Sequence, residues 1–178
     1  MGRRQRLECG NEMPKTTPLE PNLVQEQTPV PTAGLPQLEE QLCFAVYQTG
    51  HAFTRMYRSV LAELGLTYPQ YLVMLVLWEC DGLTVKAVGE RLSLDSGTLT
   101  PLLKRLEAAG LIRRERSRED ERQVLLHLTE TGEALREKGG CVPATMGKAI
   151  GDAVHPDGRL LGDLTALRDA LLKSAGQS

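Results

Sequence analysis

Cys43 and Tyr47 stand four residues apart, and Tyr57 follows fourteen residues after the cysteine. On a helix all three point to one side. Tyr57 nevertheless sits roughly 21 Å further along the axis, at 1.5 Å per residue, so it cannot touch Cys43 of its own chain. If the first helices of two chains cross antiparallel, Tyr57 of one can approach Cys43 of the other. A sulfur near a helix N-terminus that accepts hydroxyl bonds is stabilised as a thiolate, the nucleophilic form. The alternative for Cys43 is a small buried hydrophobe, and for the tyrosines core packing with a partner for each hydroxyl.

A second set of residues points to nucleic acid. Asp95-Ser96-Gly97-Thr98-Leu99-Thr100-Pro101-Leu102-Leu103-Lys104-Arg105-Leu106-Glu107 reads as a helix that opens with short hydroxyl side chains. After the Ala109-Gly110 turn come two apolar stretches, Leu111-Ile112 and Val124 to Leu128. Between them lies a charged segment, 113–122, with five arginines. Such a helix followed by a basic hairpin is how a winged helix-turn-helix grips DNA. Ser96, Thr98 and Thr100 can reach base edges or phosphates, although ordinary capping competes and suits Asp95 best. Lys104 and Arg105 suit phosphates, which fix register rather than sequence. Arg122, positioned by Asp120, suits the minor groove, and Arg116 and Arg118 the backbone; a charge run can also be only a solvated loop.

The elements that position these residues follow from periodicity. Leu42, Val46, Thr49, Phe53, Met56, Val60 and Leu64 recur three or four apart, predicting an amphipathic helix from about 38 to 63, stopped by Gly65. Pro69 opens a second helix that runs to Trp78. Thr84 is the expected N-cap of a helix to Leu92, and Asp95 that of the helix to Ala108, which Gly110 ends. Thr129 caps a fifth helix, which Gly139-Gly140 and Pro143 are expected to break or kink. Leu160, Leu161, Leu164, Leu167 and Leu171 mark a last amphipathic helix. The first and last helices carry apolar stripes with no partner inside the reading unit, as expected of a dimer interface.

Composition bounds the rest. The 178 residues suit one domain with a tail: residues 1–36 hold six prolines and no periodicity, the pattern of a disordered extension. The folded part is expected over 37–176, with dimerisation helices at about 38–64 and 130–175 and the winged unit at about 66–129. Net charge is −2, so affinity for DNA must come from a local patch, and 86–122 holds only nine Lys/Arg against seven Asp/Glu. No apolar run is long enough for a bilayer, and Arg3, Arg4 and Arg6 have no apolar region behind them, so cytoplasmic location is the default. Cys9, Cys43, Cys80 and Cys141, with His51, His127 and His155, show no metal spacing, and no cofactor is expected.

Leu83-Thr84-Val85, the 94–107 stretch, Gly110-Leu111-Ile112, Asp120-Glu121-Arg122 and Leu128-Thr129 together resemble the MarR family of winged-helix repressors. Leu42-Cys43-Phe44-Ala45-Val46-Tyr47 and Leu66-Thr67-Tyr68-Pro69-Gln70-Tyr71 resemble its OhrR branch, the organic hydroperoxide sensors. The resemblance covers about 38 to 138. It implies a mainly α fold with a small β-hairpin wing, dimerising through its terminal helices. It implies that Tyr57 and Tyr68 from the partner subunit hydrogen-bond the reactive Cys43, with Tyr47 nearby. Oxidation to a sulfenic acid would release operator DNA, and apolar neighbours (Phe44, Val46, Phe53, Met56) would favour organic hydroperoxides. Some members resolve the sulfenic acid with a second cysteine; Cys141 is the candidate, with capping by a small thiol the alternative.

Two other functions stand beside this redox-sensing repressor. One is a regulator of the same family that answers a small aromatic ligand, with Cys43 a packing residue. The other is a thiol peroxidase, which lacks a Thr/Arg peroxidatic motif. The expected role is therefore regulatory, not enzymatic.

Overall fold

The computed structural model describes residues 36–118, 120–151, 154 and 157–176. The expected disordered extension over 1–36 lies almost wholly outside them. The chain divides into two compact units, one up to His51 and one from Ala52.

Among the described residues, six α-helices and three strands follow one another in the order α1 (Leu42–Val60), α2 (Tyr68–Glu79), β1 (Leu83–Thr84), α3 (Val85–Leu92), α4 (Ser96–Ala108), β2 (Ile112–Arg116), β3 (Val124–Leu128), α5 (Glu130–Ile150) and α6 (Arg159–Ala175). Short 3-10 turns at Leu38–Glu40 and Ala62–Leu64 flank α1. The first helix thus ends at Val60 rather than near residue 63. Leu61 is fully buried just beyond it, and Gly65 closes the turn at φ 64°.

α2 is apolar all round, and it forms the centre of the core: Tyr71, Val73, Met74, Val76, Leu77 and Trp78 are buried. Its one buried polar side chain, Gln70, accepts from both the amide and the hydroxyl of Thr67, 2.9 Å each, which closes the N-terminal turn. Val88 of α3, Leu99, Leu103 and Leu106 of α4, Ile112 of β2 and Leu126 of β3 pack into the same core.

The strands form one antiparallel sheet in the order β1-β3-β2. Ile112 pairs with Leu128 and Arg116 with Val124, while Leu83 pairs with Leu126. Two expectations change here. The wing belongs to a three-stranded sheet, because Leu83-Thr84 adds a strand before α3. And β2 takes in Arg113, Arg114 and Arg116, so the first four residues of the charged run are strand rather than loop.

α5 is the larger correction: it runs unbroken for 21 residues through Gly139, Gly140 and Pro143. Proline lacks the N–H that would bond the carbonyl four residues earlier, here that of Gly139. The Tyr71 hydroxyl donates to that carbonyl instead, at 3.0 Å. Gly139 itself lies under the Trp78 indole, where any Cβ would overlap the ring. Of the residues that locally break a helix, Gly139 is here a contact surface for α2.

Candidate functional site

α3, α4 and the wing carry the residues expected to contact DNA. Asp95 caps α4: its carboxylate accepts from the amide and the hydroxyl of Thr98, 2.9 Å each. Those bonds, the amide first, hold the Asp95 carboxyl below its ordinary range. Leu99, Leu103 and Leu106 turn one face of α4 inward. That leaves Ser96, Lys104 and Arg105 exposed, with Ser96, Thr100 and Lys104 in one row at four-residue steps.

The three expected hydroxyls are not equivalent. Thr98 donates to Asp95, and Thr100 donates to the Ser96 carbonyl at 2.6 Å. Both keep lone pairs that can still accept a hydrogen bond. Their protons already serve the helix start.

The wing tip is held by Asp120, in a way the sequence did not reveal. Its carboxylate accepts from the backbone amide of Arg122 at 3.0 Å and from the Gln123 side chain at 3.0 Å. The Gln123 amide donates to the Asp120 carbonyl at 2.9 Å, and the Ser117 amide to the Gln123 carbonyl at 3.0 Å. Asp120 therefore fixes the turn that carries Arg122, not its guanidinium. Arg116, Arg118 and Arg122 are exposed.

Glu107 and Arg114 form a link that sequence reasoning missed. Glu107 of α4 takes bonds of 2.6 and 2.8 Å from the Arg114 guanidinium, tying the reading helix to β2. The same bonds hold Glu107 below the usual carboxylate range. Asp81 plays a like part behind the wing, accepting from the Leu128 amide at 2.8 Å with His127 Nδ1 at 3.6 Å. Between α3, α4 and the wing lies a cleft of about 950 Å³, lined by Lys86, Ser93, Ser96, Thr100, Arg114 and Arg122 and also by Leu172 of α6.

The cysteine region falls into two parts. In the first unit, Cys43 is exposed on the opening turn of α1, with its Sγ 3.6 Å from Gln41 Oε1. Tyr47 on the same face is also exposed, in edge contact with His51 at 4.3 Å between centroids. In the second unit, Tyr57 and Tyr68 stack at 4.1 Å, and Tyr71 lies 6.1 Å from Tyr57. Burial raises the hydroxyl of Tyr57, helped by Tyr68, and burial alone raises that of Tyr68. Burial, with both neighbours, pushes Tyr71 up to about 12. All three phenols thus stay protonated and able to donate at neutral pH. The pairing of Tyr57 with Tyr68 within one chain crosses the Gly65 turn, so no helical spacing announced it.

Cys141 lies inside α5, half-buried, rather than beyond a helix break. Cys80 is exposed at the end of α2. Among the described residues no three His, Cys, Asp or Glu side chains converge as metal ligands, and no helix is long and apolar enough to cross a membrane.

Comparison with known proteins fits this geometry. Residues 55–138 match the family model for the transcriptional regulators SarA/Rot. The chain is 57% identical over 141 residues to the HTH-type transcriptional regulator TtmR of Methylorubrum extorquens, covering 79% of this chain and 72% of that one. It is 56% identical over 110 residues to the organic hydroperoxide resistance transcriptional regulator of Bacillus subtilis, covering 62% and 75%. Reduced AbfR of Staphylococcus epidermidis bound to DNA is similar in structure, with TM-score 0.65 and 35% identity over 76% of this chain and 92% of that one. The chain belongs to the MarR-type winged helix-turn-helix family and is a DNA-binding transcriptional regulator rather than an enzyme.

Proposed function

We propose that the protein is a homodimeric, cytoplasmic repressor that senses organic hydroperoxides through Cys43. One observation carries this reading: Cys43 and Tyr47 stand exposed on an α1 face with Leu42 and Val46, while protonated Tyr57 and Tyr68 form a ready pair. A cysteine site left open in one chain is completed by the tyrosine pair of a second. α6 supplies more of the same kind of surface, with Leu160, Leu161, Leu164, Leu171 and Leu172 all exposed. The names of the Bacillus relative and of the reduced, DNA-bound AbfR support the chemistry.

The chemistry balances simply. The Cys43 thiolate attacks the outer oxygen of the hydroperoxide. An S–O bond forms, the O–O bond breaks, and the alkoxide leaves and takes a proton as the alcohol. The sulfur, oxidised by two electrons, is a sulfenic acid. Tyr57 and Tyr68 of the second copy hold the thiolate before attack and lose that role afterwards. The reduced dimer sets two α4 helices in successive major grooves, with Ser96, Thr98, Thr100, Lys104 and Arg105 on bases and phosphates. Arg122 enters the minor groove, and Arg116 and Arg118 follow the backbone.

A second reading draws on the cleft beside α4: a small aromatic acid binding its basic and hydroxyl walls would release DNA with no role for Cys43. The test is a titration of duplexes selected by the reduced protein from a random library. Cumene hydroperoxide should release wild type but not Cys43→Ser, and Cys141→Ser should still respond. Equal release of Cys43→Ser would favour the ligand reading. An inter-chain Cys43–Cys141 disulfide on non-reducing gels would assign Cys141 as the resolving cysteine, and its absence the capping of Cys43 by a small thiol.

A further inference from the structure

We propose that Trp78, seated on Gly132 and Gly139 of α5, is a positioning residue that couples the Tyr57–Tyr68 pair to the root of the wing. The inference rests on the redox reading above and names how that site would govern DNA release.

The contacts form a continuous series. Tyr57 stacks on Tyr68, lies 6.1 Å from Tyr71, and Tyr71 meets Trp78 edge-on at 6.1 Å. Tyr71 and Trp78 are seven residues apart, two turns of α2, so they share a face. Gly132 and Gly139 are likewise seven apart on α5. Tyr71 donates its hydroxyl to the Gly139 carbonyl at 3.0 Å, and Trp78 donates its indole N–H to the Gly132 carbonyl at 2.9 Å.

The seat has no slack. A Cβ at Gly139 would overlap the indole, and one at Gly132 would overlap the carbonyl oxygen of Leu111. That same oxygen accepts from the Thr129 amide at 3.1 Å, and Leu111 directly precedes β2. The indole therefore bonds a residue that itself presses on the base of the wing. Tyr71 and Trp78 are 1% and 6% exposed. Closely packed interiors pass a displacement on rather than absorb it.

The consequence is mechanical. Tyr68 is the first residue of α2, and Trp78 is its last but one. When oxidation removes the thiolate that holds the tyrosines, a shift of Tyr68 moves the whole rod. Either the indole leaves Gly139 and breaks its bond to Gly132, or α5 and Leu111 follow it. Both outcomes change the root of the wing that carries Arg122.

Trp78 is the only tryptophan of the chain, so its fluorescence reports on this seat alone. The full-length protein is treated with cumene hydroperoxide while emission, binding to the selected duplex and Cys43 oxidation (by intact mass) are read on the same samples. We expect the emission to shift in step with Cys43 oxidation and DNA release, and not to shift in Cys43→Ser. Trp78→Phe keeps a ring but loses the donor. It is expected to bind DNA when reduced and, once fully oxidised, to be released about fivefold less, the effect of one neutral hydrogen bond. Oxidised Cys43 and released DNA with unchanged emission would overturn the inference, as would wild-type release by Trp78→Phe. The emission arm needs no substitution, so a variant that does not fold leaves the test standing. If Cys43 is not oxidised or DNA is not released, the redox reading fails and this inference with it.

Discussion

α2 and α6 are both rich in leucine, yet their surroundings are opposite. α2 buries seven of its twelve residues, including Tyr71 and Trp78. α6 buries none, and Leu161 and Leu171 are 73% and 62% exposed. α1 buries none either. The winged unit is complete within one chain; the terminal helices are not. An apolar stripe that one chain leaves in water is the kind of surface the proposed dimer would bury. On the proposed dimer, Cys43, which lies on such a stripe, would acquire its environment from a second chain.

The largest effects should separate the two kinds of helix. Leu103→Ala in α4 opens a core cavity and should cost about 2–5 kcal/mol of unfolding free energy, read by urea denaturation. Leu161→Lys with Leu171→Lys should leave the helical circular dichroism intact. Sedimentation should fall from two chains to one, and DNA affinity should drop about 100-fold or more, the gain that joining two reading units supplies. A dimer that survives both lysines would break the comparison.

Tyr57→Phe and Tyr68→Phe sharpen it at the cysteine. A hydrogen bond to a charged acceptor contributes roughly 1.5–3 kcal/mol, so each change should slow alkylation of Cys43 at neutral pH about tenfold. The double variant should be slower than either. DNA affinity of the reduced protein should hardly change, because neither ring lies on α4 or the wing. Wild-type alkylation rates in all three would make the tyrosines packing residues only.

Arg122→Ala acts within the completed unit. It should weaken DNA binding and lower the slope of log affinity against log salt by about one or less. Asp120→Ala should produce a similar loss by freeing the turn at Arg122. An unchanged salt series would remove Arg122 from the groove.

The smallest effect concerns the α4 cap. Asp95→Ala should lower the melting temperature by a few degrees at neutral pH. The Asp95 carboxyl is held below its ordinary value of 3.8 by the Thr98 amide and hydroxyl. Its contribution is therefore complete above that value and is lost as the pH falls through the lower, folded one. The gap between wild type and variant should close on acidification; a gap that persists would mean another acceptor caps the helix.

Much of the winged unit was legible because its signals are local. Asp95, Leu99, Leu103, Leu106 and Gly110 each mark start, face or end of α4 without help from elsewhere. Where tertiary contacts decide, the sequence misled. Gly139, Gly140 and Pro143 read as a break, but Trp78 packs on Gly139 and Tyr71 bonds the carbonyl that Pro143 leaves open. Arg113 to Arg116 read as a loop, because a charged run hides the alternation of a strand. Leu83-Thr84 is too short to show any period. The stacking of Tyr57 on Tyr68 and the Glu107–Arg114 bond join different elements, which no spacing along one of them predicts.

In the proposed sensor, DNA release follows oxidation of Cys43. The direct measurement is to titrate DNA-bound protein with cumene hydroperoxide and read, from the same aliquots, the fraction of Cys43 gaining one oxygen and the fraction of DNA still bound. The two curves should coincide for wild type, and Cys43→Ser should stay bound throughout. Release while Cys43 remains a thiol, or release of Cys43→Ser at the wild-type dose, would contradict the account.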